Sequence, residues 1–259
     1  MNSFIYRYSP PFVFALIIIV LWYAFVFAFD IERIILPQPH QIIAVIYERF
    51  SELLHATMIT ASAALLGLLA SLILGFTVSV IFSLSSYTER GLYPLALFFQ
   101  TVPIVAIAPL IILWVGHGFL SVMLIAMILS LFPIIANTTT GLTRLPKSYL
   151  ELFELYESNV TKRMLLLQIP HSLPHIIAGL RVSSGLAVIG SIIGEFSSGY
   201  EMGGSGLGYY IAAASQYKTD LLFASIFAST MMGWLIFLTI DKCGNLLLSK
   251  LHMNKAKVK

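Results

Sequence analysis

Six stretches of this chain are each long and apolar enough to need a bilayer around them, and this limits the fold more than any single residue does. A membrane span takes about 20 mostly apolar residues. The segments at roughly 11–29, 57–83, 92–114, 119–143, 176–198 and 221–241 meet that requirement. Of the 259 residues, 58% are hydrophobic and only 10% are charged, with a mean hydropathy of +0.90. Soluble domains carry about 25% charged residues. A water-soluble fold of this length cannot hide so much apolar surface, so the excess faces lipid. The expected fold class is an all-α membrane protein of about six transmembrane helices, with an interfacial helix and a short cytoplasmic helix.

The lone cysteine, Cys243, excludes an internal disulfide framework and a cysteine-rich metal site. A net charge of +3, scattered along the chain, does not suit nucleic acid binding. Arg7 ahead of the first apolar run imitates a secretory signal. The run exceeds a signal core of about 7–15 residues and lacks a small-x-small cleavage site, so it reads as a retained anchor.

Lysines and arginines set the expected orientation. With the N-terminus in the cytoplasm, Arg7, Arg90, Arg144, Lys147, Lys162, Arg163, Arg181, Lys242, Lys250, Lys255, Lys257 and Lys259 fall inside, and Arg33, Arg49 and Lys218 outside. That is a split of 12 to 3, which puts both termini in the cytoplasm. Three units are expected: 1–55, the first span and an interfacial helix; 56–243, the transmembrane core; and 244–259, a basic cytoplasmic tail. The interfacial helix runs from about Pro39 to Leu53, with Ile42, Val45, Ile46, Phe50 and Leu53 on one face and Pro39 in its first turn.

One cytoplasmic connection stands out, from Leu145 to His175. Ser148 and Glu151 form a capping-box pattern for a helix start. Tyr149, Leu152, Phe153 and Tyr156 then share one face, with Glu151 and Glu154 on the other side. Asn159 is placed to cap a second helix towards Ile169, and Pro170 and Pro174 are expected to break regular helix and bend the chain into the fifth span. A short two-sided helix projecting from a bilayer suits docking against another protein.

The stretch Glu151-Leu-Phe-Glu-Leu-Tyr-Glu-Ser-Asn, followed by Ile169-Pro-His-Ser-Leu-Pro174, resembles the signature loop of type I ABC importer permeases. That family carries Glu-Ala-Ala, then a glycine, then Leu-Pro. Here Leu152 and Phe153 replace the alanines, Glu157 the glycine and Ile169 the leucine. The span from Phe99 to Gly116, with Phe132-Pro-Ile-Ile-Ala-Asn137, Gly179-Leu-Arg181, Ser205-Gly-Leu-Gly-Tyr209 and Leu36-Pro-Gln-Pro39, is similar to the nitrate/sulfonate/taurine branch, which includes thiamine and riboflavin precursor permeases. The resemblance implies a homodimer in the inner membrane, two cytoplasmic ATPase subunits and an extracytoplasmic binding protein that delivers a small solute. It implies ATPase coupling through Glu151, Leu152, Phe153, Glu154, Tyr156, Glu157 and Asn159.

Polar residues inside spans are costly and therefore candidates for function. Gln100, Asn137 and Glu195 are assigned to the translocation path, with interhelical hydrogen bonding as the structural alternative. Glu195 lies near the outer end of its span, where solvation or pairing is expected. No catalytic residue, metal ligand or cofactor is expected. Gly203-Gly-Ser-Gly206 imitates an intramembrane protease motif without a histidine base on its side of the membrane. His171 and His175 are expected to be misaligned by Pro174. No Gly-x-x-x-x-Gly-Lys-Ser/Thr loop occurs, so ATP hydrolysis is expected in a separate subunit. The competing reading is an ion-coupled secondary transporter, disfavoured because no acidic residue falls near mid-span.

Overall fold

The structure is a computed structural model that describes residues 2–156, 159–198, 206–215 and 218–256. Its helices are α1 (Asn2–Ala28), α2 (Pro39–Glu48), α3 (Phe50–Ser83), α4 (Ser86–Gln100), α5 (Ile104–Val115), α6 (Phe119–Thr143), α7 (Lys147–Leu155), α8 (Val160–Arg163), α9 (Ile169–Ser198), α10 (Leu207–Ala214) and α11 (Thr219–Ala256), with a π-helical turn at Met164–Gln168. Among the described residues every regular element is helical. In lipid that is the expected outcome, because a helix satisfies its own backbone without water.

Three long helices form the centre, held together by small residues that bring their backbones close. A Cβ on Gly67 of α3 would lie 2.8 Å from the Met123 carbonyl oxygen, and Ser71 meets Ser130 at 3.0 Å. Gly75 abuts Ile134, so α3 and α6 run parallel. Helix α9 runs the other way. Gly194 faces Val122, Gly190 faces Ala126, Ser183 donates to the Ser130 carbonyl at 2.6 Å, and Gly179 faces Asn137. Helix α11 is antiparallel to α9, with Gly233 beside Val188, Gly244 beside Ile177, and Arg181 Nε 2.8 Å from Asp241 Oδ1.

Because α3 and α6 are parallel, the chain between them returns across the bundle. It does so in two pieces. The expected third span, 92–114, is not one straight helix: Tyr87–Gln100 and Ile104–Val115 meet at 94°. Pro103 causes the break, since it has no amide to give and disfavours helix at Val102. Ser85 starts α4, its Oγ accepting from the Tyr87 amide at 3.2 Å. Gly116 and Gly118 turn the chain into α6 with positive φ angles of 93° and 147°, which side-chain-bearing residues rarely adopt.

Among the described residues four helices are long and apolar enough to cross a membrane, or five if the bent pair counts as one span. Val13–Ala28 of α1 is a shorter apolar helix beside them. The amphipathic helix ends sooner than expected. It stops at Glu48, and Phe50 and Leu53 belong to α3. Its apolar face packs against the bundle: Ile42 is buried, and Val45 and Ile46 pack into the cluster that holds Leu221 and Ala224 of α11. Helix α11 passes position 243 without interruption and continues to Ala256.

Candidate functional site

Residues 144–168 sit at one end of the bundle, where α3 and α6 end and α9 begins. Arg90, Arg144, Lys147, Lys162, Arg163, Arg181, Lys242 and Lys250 gather at this end, and Arg33, Arg49 and Lys218 at the other. Helix α7 begins at Lys147, directly after Pro146. Ser148 is thus inside the first turn, and the expected capping box does not define the start. Proline is pre-set for the helix boundary and takes that place. Asn159 does occupy the N-cap position of α8, in extended backbone, with no side-chain capping bond.

The prolines also behave differently from expectation. The chain winds wide at Met164–Gln168, the Ile169 amide bonds to the Met164 carbonyl, and α9 then runs through Pro170 and Pro174 unbroken. A π turn absorbs the register change that a proline imposes. One consequence is that His171 and His175 are not misaligned: their rings lie 6.1 Å apart. Among the described residues no third His, Cys, Asp or Glu joins them to make a metal-binding group.

This segment is bolted to α6. Gln168 Nε2 donates to the Leu142 carbonyl at 3.0 Å, and His171 Nδ1 lies 3.1 Å from the Gly141 carbonyl. Both groups satisfy carbonyls in the last turn of a helix, which have no partner within it. On the outward side Leu152, Phe153 and Tyr156 line a groove of about 350 Å³ with Lys162 and Leu166. Leu155 and Tyr156 are 81% and 79% exposed. Glu151 is also exposed. Glu157 and the side chain of Glu154 lie outside the described residues.

The three polar residues assigned to the path do not form one site. Gln100 is exposed at the bend between α4 and α5. Asn137 donates to the Pro133 carbonyl on its own helix at 2.8 Å and packs against Gly179. Glu195 lies 16 residues beyond Gly179 on α9, roughly 24 Å at the helical rise.

Glu195 is also not solvated, contrary to expectation: it is only 3% exposed. Its Oε2 accepts from the Gly208 amide at 2.8 Å and the Thr60 hydroxyl at 2.9 Å. Thr60 Oγ1 in turn accepts from the Leu207 amide at 2.9 Å. Helix α10 folds back over the carboxyl and seals it from water. Sequence reasoning missed Thr60, because one threonine in an apolar span carries no spacing signal. It missed Gln168 and His171 as anchors for the same reason. Gly208 was visible only as part of Gly-Leu-Gly.

A small-residue helical bundle with a broken span and a projecting loop is the architecture of a membrane permease. Residues 63–251 match the family model described as binding-protein-dependent transport system inner membrane component. The chain belongs to that family. It is 35% identical to the formylaminopyrimidine transport permease protein ThiX of Halalkalibacterium halodurans, over 94% of this chain and 96% of that one. It is 30% identical to the riboflavin transport system permease protein RibX of Chloroflexus aurantiacus, over 82% of this chain and 78% of the relative. Among solved structures, the methionine ABC transporter MetNI in inward-facing form matches with a TM-score of 0.64 at 14% identity, covering 75% of this chain and 95% of that chain. The last is a likeness of fold. The chain is thus the multi-pass permease component of an ABC importer, not an ion-coupled secondary transporter.

Proposed function

We propose that this permease works as a homodimer, with two separate ATPase subunits docked on residues 144–168 and a binding protein delivering a small solute to the opposite end. ATP hydrolysis then belongs to the partner subunits. The observation that carries this reading is the segment's double character. Its inner side is tied to α6 through Gln168 and His171, while Leu152, Leu155, Tyr156 and Leu166 are exposed outward. A force applied to the exposed side therefore reaches the start of α9 directly. The gathering of basic residues at this end supports placing it in the cytoplasm, with both termini there.

The bend at Gln100 supports a path along the α4–α5 break. Irregular backbone at membrane depth is tolerated only where protein covers it or water fills the space beside it. Ile104 and Ile107, just past the bend, pack into the cluster that holds Ile125 of α6, so the break lies alongside the bundle while Gln100 and Thr101 stay exposed. Glu151 and Asn159, with Leu152, Phe153, Glu154, Tyr156 and Glu157, make up the proposed ATPase contact. Gln100 and Asn137 belong to the proposed path.

The relatives described above are named for formylaminopyrimidine and riboflavin transport, and further relatives are named for aliphatic sulfonate transport and nitrate import. With so few charges in the membrane, selection of the solute falls to the binding protein. Proteoliposomes containing the permease, its ATPase and its binding protein should take up solute only with ATP, and mass spectrometry of the binding protein should identify that solute. Uptake driven by an ion gradient in the absence of ATP would overturn the reading.

A further inference from the structure

We propose that Glu195 is a positioning residue for an outer gate: with Thr60 it holds the start of α10 against α3 and the end of α9, and release of that hold opens the mouth of the path. The inference rests on residues 144–168 facing the ATPase, which makes the α10 end the outer one.

Three elements meet at one side chain. Glu195 belongs to α9, Thr60 to α3, and the Leu207 and Gly208 amides open α10. The two amides and the Thr60 hydroxyl are joined through two oxygens only, Thr60 Oγ1 and Glu195 Oε2, at 2.8–2.9 Å. The fit leaves no slack. A Cβ on Gly206 would fall 2.1 Å from Glu195 Oε1, and one on Gly208 would fall 2.4 Å from the Ile192 carbonyl oxygen. Helix α10 therefore cannot slide over α9 while the carboxyl is in place; it lifts off or stays.

The other carboxyl oxygen gives the hold its character. Glu195 Oε1 is buried and has no hydrogen-bond partner. A buried polar atom without a partner is costly, here as at Gln168 Oε1. That cost is recovered when α10 lifts and water reaches the carboxyl. The closed arrangement thus carries its own incentive to open, and a modest push is enough to change the balance between the two states. Helix α9 can supply the push. It runs as one helix of 30 residues from the π turn beside the ATPase-facing loop and carries Glu195 about 39 Å along its length at the helical rise.

The test uses the full permease–ATPase complex in lipid nanodiscs, with Cys243 replaced by serine and spin labels at S51C on α3 and S215C after α10. The wild type should give one narrow distance without nucleotide and a longer one with ATP trapped. T60V removes the hydroxyl with little change in shape, so it should lengthen or broaden the nucleotide-free distance; T60S keeps the hydroxyl and should restore it. Glu195→Gln keeps an acceptor for the Gly208 amide but replaces the carboxyl by an amide, which gains less from water than a carboxylate does. It should stay at the short distance with ATP and lower transport about tenfold at normal assembly, the scale of one hydrogen bond to a charged group. An unchanged distance in T60V, or wild-type transport in Glu195→Gln, would overturn the gate. A wild-type chain that never binds the ATPase would instead sink the underlying reading of function, because the nucleotide-free distances need no ATPase to be measured.

Discussion

Gly190 and Gly185 are on the same helix, yet a side chain would meet opposite fates at the two positions. A Cβ on Gly190 would lie 2.7 Å from the Ala126 Cα, in the backbone of α6, whereas one on Gly185 would meet nothing within 4 Å. Backbone cannot rotate out of the way as a side chain can. Gly190→Leu should therefore force α6 and α9 apart and cost at least about 1–3 kcal/mol, the usual range for overpacking. Gly185→Ala should be neutral or slightly stabilising, by up to about 1 kcal/mol, since alanine is the better helix former. Thermal melting of the detergent-solubilised permease checks the pair. Equal melting temperatures for the two variants would mean that the α6–α9 contact does not depend on small residues.

Helix α7 and the α4–α5 break are the elements on which the proposed mechanism depends. Truncating Phe153 and Tyr156 to alanine removes two aromatic groups from the groove they line with Leu152, Lys162 and Leu166. Interface anchors of this kind are worth about 2 kcal/mol or more, which is roughly thirtyfold in affinity. The double variant should insert normally but lose its ATPase subunits during purification; full recovery of an active ATPase would remove α7 from the coupling role. For the break, cysteines can report water. In a C243S background, Thr101→Cys at the exposed bend should react with a membrane-impermeant thiol reagent, and Leu113→Cys, exposed on the apolar α5, should not. Protection of Thr101→Cys in every nucleotide state would place the break outside the aqueous path.

At the scale of the whole molecule, orientation and assembly can each be read with an introduced cysteine. Lys250→Cys lies on α11 at the end that gathers the basic residues, so impermeant maleimide should label it in inverted vesicles and not in intact cells. Labelling from outside would reverse the topology. Many large apolar side chains remain exposed on the single chain, among them Phe98 and Phe99 beside the bend and Trp114 at the far end of α5, at 65%, 59% and 74%. Lipid covers some of this surface, and the proposed second copy covers part of the rest. Cross-linking through F98C in membranes should yield a dimer; monomer alone would place the interface elsewhere.

The membrane class, the helical fold and the projecting loop were legible in the sequence because they follow from run length, composition and charge bias, which act locally and add along the chain. The Glu-rich loop with its proline pair was legible too, as a spacing. Three things were decided only by tertiary structure. The third span is bent because Pro103 coincides with a place where packing on α6 can hold two half-helices. Pro170 and Pro174 stay within helix because a π turn, anchored through Gln168 to α6, takes up the register. Glu195 is buried because α10, the next element in the chain, folds back over it and supplies the Gly208 amide, while Thr60 of α3 supplies its hydroxyl. In each case a local preference was overridden by a partner on another helix. Sequence periodicity reports which face of a helix is apolar; it carries no information on which neighbour will arrive to meet a polar atom on that face.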